Sequence, residues 1–177
     1  NIVKSIPQGY IVVSGNSNNN KNQQVVCLDK NDPTQELWQL DLGNNNSNEN
    51  INIYGVEYTP YDGGRLVVLY SEDASDNTYK STANSSQIKF KVFNNLNSNQ
   101  PQLDFAGFGS EYRNEHGDDT GGRLDTWGIS PIFNLNGEVT KYLIYCKEQY
   151  FTNNDNNGRT RFYLINLKNH TNSNKCQ

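Results

Sequence analysis

The chain has 177 residues, a net charge of −4 and a pI near 5.1. That is enough for one sizeable domain, and it is not the electrostatics of a general nucleic-acid binder. Only 33% of residues are hydrophobic and 19% are charged, so neutral polar residues dominate, 30 Asn among them. Apolar runs stop at five residues, against the ~20 a membrane helix needs, so no membrane span is expected.

In chain order the apolar residues fall in short β-branched and aromatic runs. These are residues 10–15, 24–29, 37–42, 51–59, 65–72, 88–94, 102–108, 126–133, 141–148 and 161–168. Clusters of Asn, Asp, Gly and Ser separate them, and helical periodicity is almost absent. Ten strands without an intervening helix predict an all-β domain. The Asn tracts at 16–24, 44–52 and 94–100 lie between strands and read as tolerant loops.

The sequence holds no Met, which reads as a processed or fragmentary chain. Cys27, Cys146 and Cys176 form an odd set without CxxC spacing, so no zinc site is expected. Cys27 and Cys146 sit in apolar runs and read as buried thiols. Asn45, Asn84 and Asn169 begin N-x-[ST] sequons, a number that chance alone yields in so Asn-rich a chain.

The runs repeat. "YGVEYTPYDGGRLVVLYSE" (54–72) lines up with "WGISPIFNLNGEVTKYLIYCKE" (127–148). Gly55 falls on Gly128, Val56 on Ile129 and "VVLY" (67–70) on "YLIY" (142–145). A shorter copy comes first, with "NIVKSI" available as its first strand or as a closing outer strand. Each unit reads as a four-stranded antiparallel meander, although the third lacks an evident fourth strand after "RFYLINLKN". Tandem meanders are the blades of a β-propeller, because radial packing buries both faces of each.

The segment "VVCLDKNDPTQELWQLDL" (25–42) resembles the blade motif of quinoprotein-type propellers. Leu28 and Asp29 end the aliphatic strand, and Glu36 and Trp38 open the outer one. The resemblance implies that Trp38 docks one blade on the next. The turn departs from the family's Thr-Gly-Lys by one extra residue. "SPIFNLNGEVTKYLIYC" (130–146) resembles the Ser-Pro-x-Phe-x-x-x-Gly repeat of Tol-system propellers. These motifs specify blades and no one function. The expectation is three blades, at 1–50, 51–110 and 111–177, in a ring completed by another chain or segment. A β-sandwich is the alternative.

Candidate chemistry is sparse. Asn153, Asp155 and Asn157 alternate before Gly158, the front half of a calcium loop, but position 12 is Leu164 rather than Glu. The segment 110–127 carries Glu111, Glu115, Asp118, Asp119 and Asp125 beside His116, and reads chiefly as a solvated connector. Five-bladed glycosidases place carboxylates on innermost strands, and Glu57 and Asp125 fit an acid–base pair of that kind, without a third. No G-x-S-x-G elbow and no phosphate loop occurs. Tyr58, Tyr112, Arg123 and Trp127 are the candidate ligand-binding residues, at strand ends and loops. His170 lies in a polar tail without evident partners.

The reading favours a non-enzymatic propeller scaffold that mediates protein association, outside the cytoplasm or on a surface. Its partner is a protein, the remainder of a cleaved precursor, or a second copy. The rival is a carbohydrate-active enzyme using Glu57 and Asp125. A quinone-linked activity rests on the first blade motif alone. No cofactor is expected, apart from Ca²⁺ at the weak 153–157 site.

Overall fold

The computed structural model describes residues 2–15, 23–40, 42, 49–74, 87–110, 121–151 and 156–173. They form twelve strands: β1 (Val3–Ile6), β2 (Gly9–Gly15), β3 (Gln23–Asp29), β4 (Glu36–Leu40), β5 (Glu49–Thr59), β6 (Arg65–Ala74), β7 (Gln87–Asn94), β8 (Gln102–Ser110), β9 (Gly121–Phe133), β10 (Val139–Phe151), β11 (Asn156–Asn166) and β12 (Thr171–Ser173). Three antiparallel sheets result, ordered β1-β2-β3-β4, β5-β6-β7-β8 and β9-β10-β11-β12. Each is a meander of consecutive strands. The domain is all-β, and the three sheets do not close a ring.

The choice left open for "NIVKSI" is resolved, and one expectation about the strands changes. "NIVKSI" becomes the first strand of the first sheet, with Val3 opposite Val12 and Ile6 opposite Gly9. The third sheet does have a fourth strand, the three-residue β12, with Leu164 opposite Ser173 and Asn166 opposite Thr171. Its sequence, Thr-Asn-Ser, carries no apolar pattern, because a short outer-edge strand is held by backbone hydrogen bonds rather than by burial.

Side chains of Asn and Asp build the turns. Asp29 Oδ1 accepts from the Asn31 and Asp32 N–H groups at 2.7 and 3.0 Å, which starts the β3–β4 connection. Asn134 Oδ1 accepts from the Asn136 and Glu138 N–H groups, both at 2.9 Å, in the β9–β10 hairpin. Asn166 Oδ1 accepts from the Lys168 N–H after β11. Asn95 occupies the left-handed region at φ 51° in the β7–β8 turn. The short polar side chain substitutes for a backbone acceptor in each Asx turn and tolerates positive φ.

Apolar alternation then stacks the sheets. β6 reads Leu66-Val67-Val68-Leu69-Tyr70, and all five are buried. Leu66, Val68 and Tyr70 join Ile11, Val13, Val25, Cys27, Trp38 and Leu40 in the core shared with the first sheet. Val67 and Leu69 join Phe90 and Val92, and meet Tyr142, Ile144, Tyr163 and Ile165 of the third sheet. A period of two on a sheet covered from both sides gives an unbroken apolar run. The middle sheet therefore carries both cores.

Polar contacts fix the stacking. The Trp38 indole N–H and the Gln8 side-chain amide both donate to the Leu96 carbonyl, at 3.0 and 2.6 Å, so the first sheet grips the β7–β8 turn of the second. Gln23 Oε1 accepts from the Ile53 N–H at 2.6 Å. Between the second and third sheets, the Thr59 hydroxyl donates to the Val139 carbonyl at 2.9 Å. His170, which the sequence left without a partner, stacks on Phe105 with centroids 4.9 Å apart.

The strand register corrects the repeat. Gly55 and Val56 sit opposite Leu69 and Val68, and Gly128 and Ile129 sit opposite Tyr145 and Ile144. With those pairs superposed, "VVLY" (67–70) corresponds to 143–146, one residue later than the strings suggest. A slip of one residue exchanges the two faces of a strand, and similarity between two apolar strings does not register it. Gly55 marks a close approach between the second and third sheets, where a Cβ would lie 2.6 Å from Ile129 Cγ2.

Leu69→Ala is expected to destabilise the protein by about 2–4 kcal/mol, the cost of a cavity in a fully covered site. Gly55→Ala is expected to cost about 1–3 kcal/mol by driving the third sheet off the second. Urea unfolding followed by circular dichroism measures both.

Candidate functional site

Among the described residues, no sheet lies over the outermost face of the third sheet, where apolar side chains sit beside Ser130 and Lys141. In register, Leu143 lies opposite Leu164 and Ser130, and Tyr145 lies opposite Phe162 and Gly128. These residues point away from the second sheet, because their neighbours Tyr142, Ile144, Tyr163 and Ile165 point into it. Tyr145 and Phe162 are each 40% exposed, and Ile132 on the same face is 38% exposed. The Tyr145 ring lies across Gly128, where a Cβ would collide with it.

The same positions on the second sheet are covered. Superposing the registers puts Val67 on Leu143, Leu69 on Tyr145, Phe90 on Phe162 and Val92 on Leu164. All four second-sheet residues are at most 1% exposed, because the third sheet lies over them. The outer face thus repeats, position for position and with apolar residues at each, a face that this chain buries elsewhere. At the other end of the stack, Val3, Val12 and Val26 share a cross-strand row on the face of the first sheet turned away from the second. Tyr10 pairs with Leu28 on that face; Val3 is 60% exposed, whereas Val26 is buried and Tyr10, Val12 and Leu28 are half-buried.

Charge gathers at the first strands of the meanders. Lys4 Nζ on β1 donates to Glu57 Oε1 on β5 at 2.9 Å. The pair is partly exposed, so it contributes under about 1 kcal/mol. Glu57 also acts on Tyr142, whose phenol is fully buried without a hydrogen-bond partner. Burial first, and the Glu57 charge second, push the Tyr142 hydroxyl well above its ordinary value. A second cluster joins Arg65 to Asp62 and Asp104 at 2.6 and 3.1 Å. Asp104 also lies 3.6 Å from His170 Nε2. This cluster ties the β5–β6 turn to the outer strand.

The residues expected to carry chemistry are dispersed. Glu57 lies two positions after Gly55, which touches Ile129; Asp125 lies four positions before Ile129, as the extra residue of a bulge in β9. β5 and β9 run in the same direction, since Thr59 reaches Val139 beside the end of β9. The two positions are thus about six residues apart in level, roughly 20 Å along the strands. Tyr58 is half-buried against the first core and covers Gly64, and burial raises its hydroxyl pKa. Arg123 and Trp127 pair through their backbones with Gln149 and Cys146 on β10, and Asn157 pairs with Tyr150. Tyr112, Asn153 and Asp155 lie outside the described residues, as do Glu111, Glu115, His116, Asp118 and Asp119. Among the described residues no group of three His, Cys, Asp or Glu side chains can hold a metal ion.

The sequence reading missed the open face because its residues look like core. The signal that finds it is the one-residue shift in the repeat, available only from strand pairing. Compared with family models, curated proteins and solved structures, the chain matches none.

The buried acids set an alkaline limit on stability. Burial, with the Asp29 charge behind it, pushes the Cys27 thiol from 9.0 up to about 11. Above pH 9 the unfolded thiol loses its proton while the folded one keeps it, so the unfolded state gains. Stability is expected to hold up to about pH 8.5 and then to fall towards pH 11, with Cys27 contributing on the order of 2 kcal/mol of the loss. Cys27→Ala should flatten that part of the curve while lowering stability at neutral pH. Tyr142→Phe should be neutral or stabilising by about 1 kcal/mol, since it removes an unpaired buried hydroxyl. Urea titrations at a series of pH values test all three.

Proposed function

We propose that the chain is a non-enzymatic β-propeller scaffold whose open sheet faces mediate protein association. The carrying observation is the match between the covered forward face of the second sheet and the exposed forward face of the third. Three consecutive four-stranded meanders, stacked in chain order, support the blade reading. So do the contacts between β1 and β5 and between β5 and β9, which gather the first strands of the blades on one side. Trp38, buried between the first two sheets and bonded to the Leu96 carbonyl, supports the resemblance to quinoprotein-type blades.

Association follows from the physics of the meander. A sheet with two apolar faces needs a neighbour on each, and among the described residues no sheet covers the outer faces of the first and third. The chemistry of the described residues points the same way: Glu57 is ion-paired, and the Arg65–Asp104 cluster is structural.

Native mass spectrometry of the purified protein tests this. A particle heavier than 20.1 kDa, lost in Tyr145→Lys/Phe162→Lys while the circular dichroism spectrum is retained, is the expected result. A wild-type particle that remains at 20.1 kDa at every concentration overturns it.

A further inference from the structure

We propose that Asn169 is an acceptor for an N-linked oligosaccharide, added to its side-chain amide in a secretory compartment. The inference goes beyond the scaffold reading and does not rest on it.

The number of sequons carries no weight in a chain with 30 Asn; placement does. Asn45 and Asn84 lie outside the described residues, and Asn169 lies within them. It opens the sequon Asn169-His170-Thr171, in the turn that joins β11 to β12. That turn is fixed from both sides. Asn166 Oδ1 accepts from the Lys168 N–H at 3.0 Å, and the Leu167 N–H donates to the Thr140 carbonyl at 3.0 Å. Backbone pairing of Asn166 with Thr171 closes it.

The residues around Asn169 turn towards the second sheet. Leu167 is buried in the core shared with that sheet. The Lys168 ammonium lies 5.9 Å from the centroid of the Tyr61 ring. His170, at φ 49°, stacks on Phe105 and lies 3.6 Å from Asp104. Histidine is among the side chains that take this left-handed conformation most readily. Asn169 itself is exposed, and among the described residues its side-chain amide has no hydrogen-bond partner. The middle residue of the sequon is therefore anchored while the acceptor faces solvent. A saccharide on Asn169 displaces neither core.

The chemistry needs a lipid-linked oligosaccharide and its transferase. The Asn169 amide nitrogen attacks the anomeric carbon of the sugar. A carbon–nitrogen bond forms, the bond from that carbon to the pyrophosphate oxygen breaks, and the lipid pyrophosphate leaves. The amide gives up one proton to the transferase. The residue two positions on must carry a hydroxyl, which Thr171 does. The site also has a physical use. Among the described residues β12 pairs with β11 alone, at the edge of the third sheet farthest from β9. A bulky hydrophilic group beside a three-residue edge strand blocks the addition of a further strand there.

Peptide mapping tests the assignment. Protein isolated from its own source is digested, and the peptide carrying residue 169 is treated with peptide N-glycosidase in water enriched in heavy oxygen. Loss of an oligosaccharide, with Asn169 converted to a heavy-oxygen aspartate, is the expected result. A peptide with Asn169 unmodified overturns the inference. Variants secreted from a eukaryotic cell line then tie the modification to the turn. Asn45→Gln/Asn84→Gln should keep one oligosaccharide. Adding Asn169→Gln or Thr171→Ala should abolish it, and adding Thr171→Ser should retain it, which separates loss of the sequon from misfolding of β12. Enzymatic removal of the sugar should leave the thermal midpoint unchanged. A saccharide that survives Thr171→Ala, or an Asn45→Gln/Asn84→Gln protein secreted without one, overturns the inference. The scaffold reading is decided separately, by the native mass of the Tyr145→Lys/Phe162→Lys protein.

Discussion

The structure depends on one constraint: an antiparallel meander with two apolar faces is stable only when a neighbour covers each of them. The middle sheet meets it in full. Leu66, Val68 and Tyr70 face the first sheet while Val67 and Leu69 face the third, and none of the five is more than 2% exposed. Burying aliphatic and aromatic side chains contributes roughly 1.5–3 kcal/mol each, which directional contacts at the rims do not approach. Among the described residues, the first and third sheets have a neighbouring sheet on one side only.

The polar contacts between sheets act as locators. Both the Trp38 indole and the Gln8 amide converge on a single carbonyl, that of Leu96, whose side chain is itself part of the core. This arrangement couples the β1–β2 turn, β4 and the β7–β8 turn. A net contribution of about 1 kcal/mol per hydrogen bond is modest. Its value is angular, because a carbonyl that accepts two donors from one sheet fixes where the next sheet lies. The Phe105–His170 stack and the Thr59–Val139 hydrogen bond do the same for the second pair.

Stacking of one sheet on the next is the property these residues organise. The carboxylates that looked like a catalytic pair lie at different levels on β5 and β9, and Glu57 is bound to Lys4. Tyr142 shows why a buried polar group need not mark a site. Its ring fills the core beneath Glu57, and its hydroxyl is left without a partner where packing, not polarity, set the residue. The Asn content has a comparable local explanation at the described turns. Asn134 and Asn166 supply acceptors to the chain two to four residues on, and Asn95 takes a left-handed conformation.

The all-β class, the three meanders and most strands were legible in the sequence, because period-two apolar runs and Asx turns are local signals. "IVV", "VVL" and "YLI" announce strands whatever surrounds them, and Asp29 and Asn134 announce turns. The short strand β12 was not legible, since Thr-Asn-Ser is held by backbone pairing to β11. Nor was the open face. By composition "VVLY" and "YLIY" are interchangeable, and each reads as core. Only the tertiary structure decides that Leu69 is covered and Tyr145 is not, because exposure depends on which sheet lies above a strand. The strand itself carries no record of how many neighbours the stack provides.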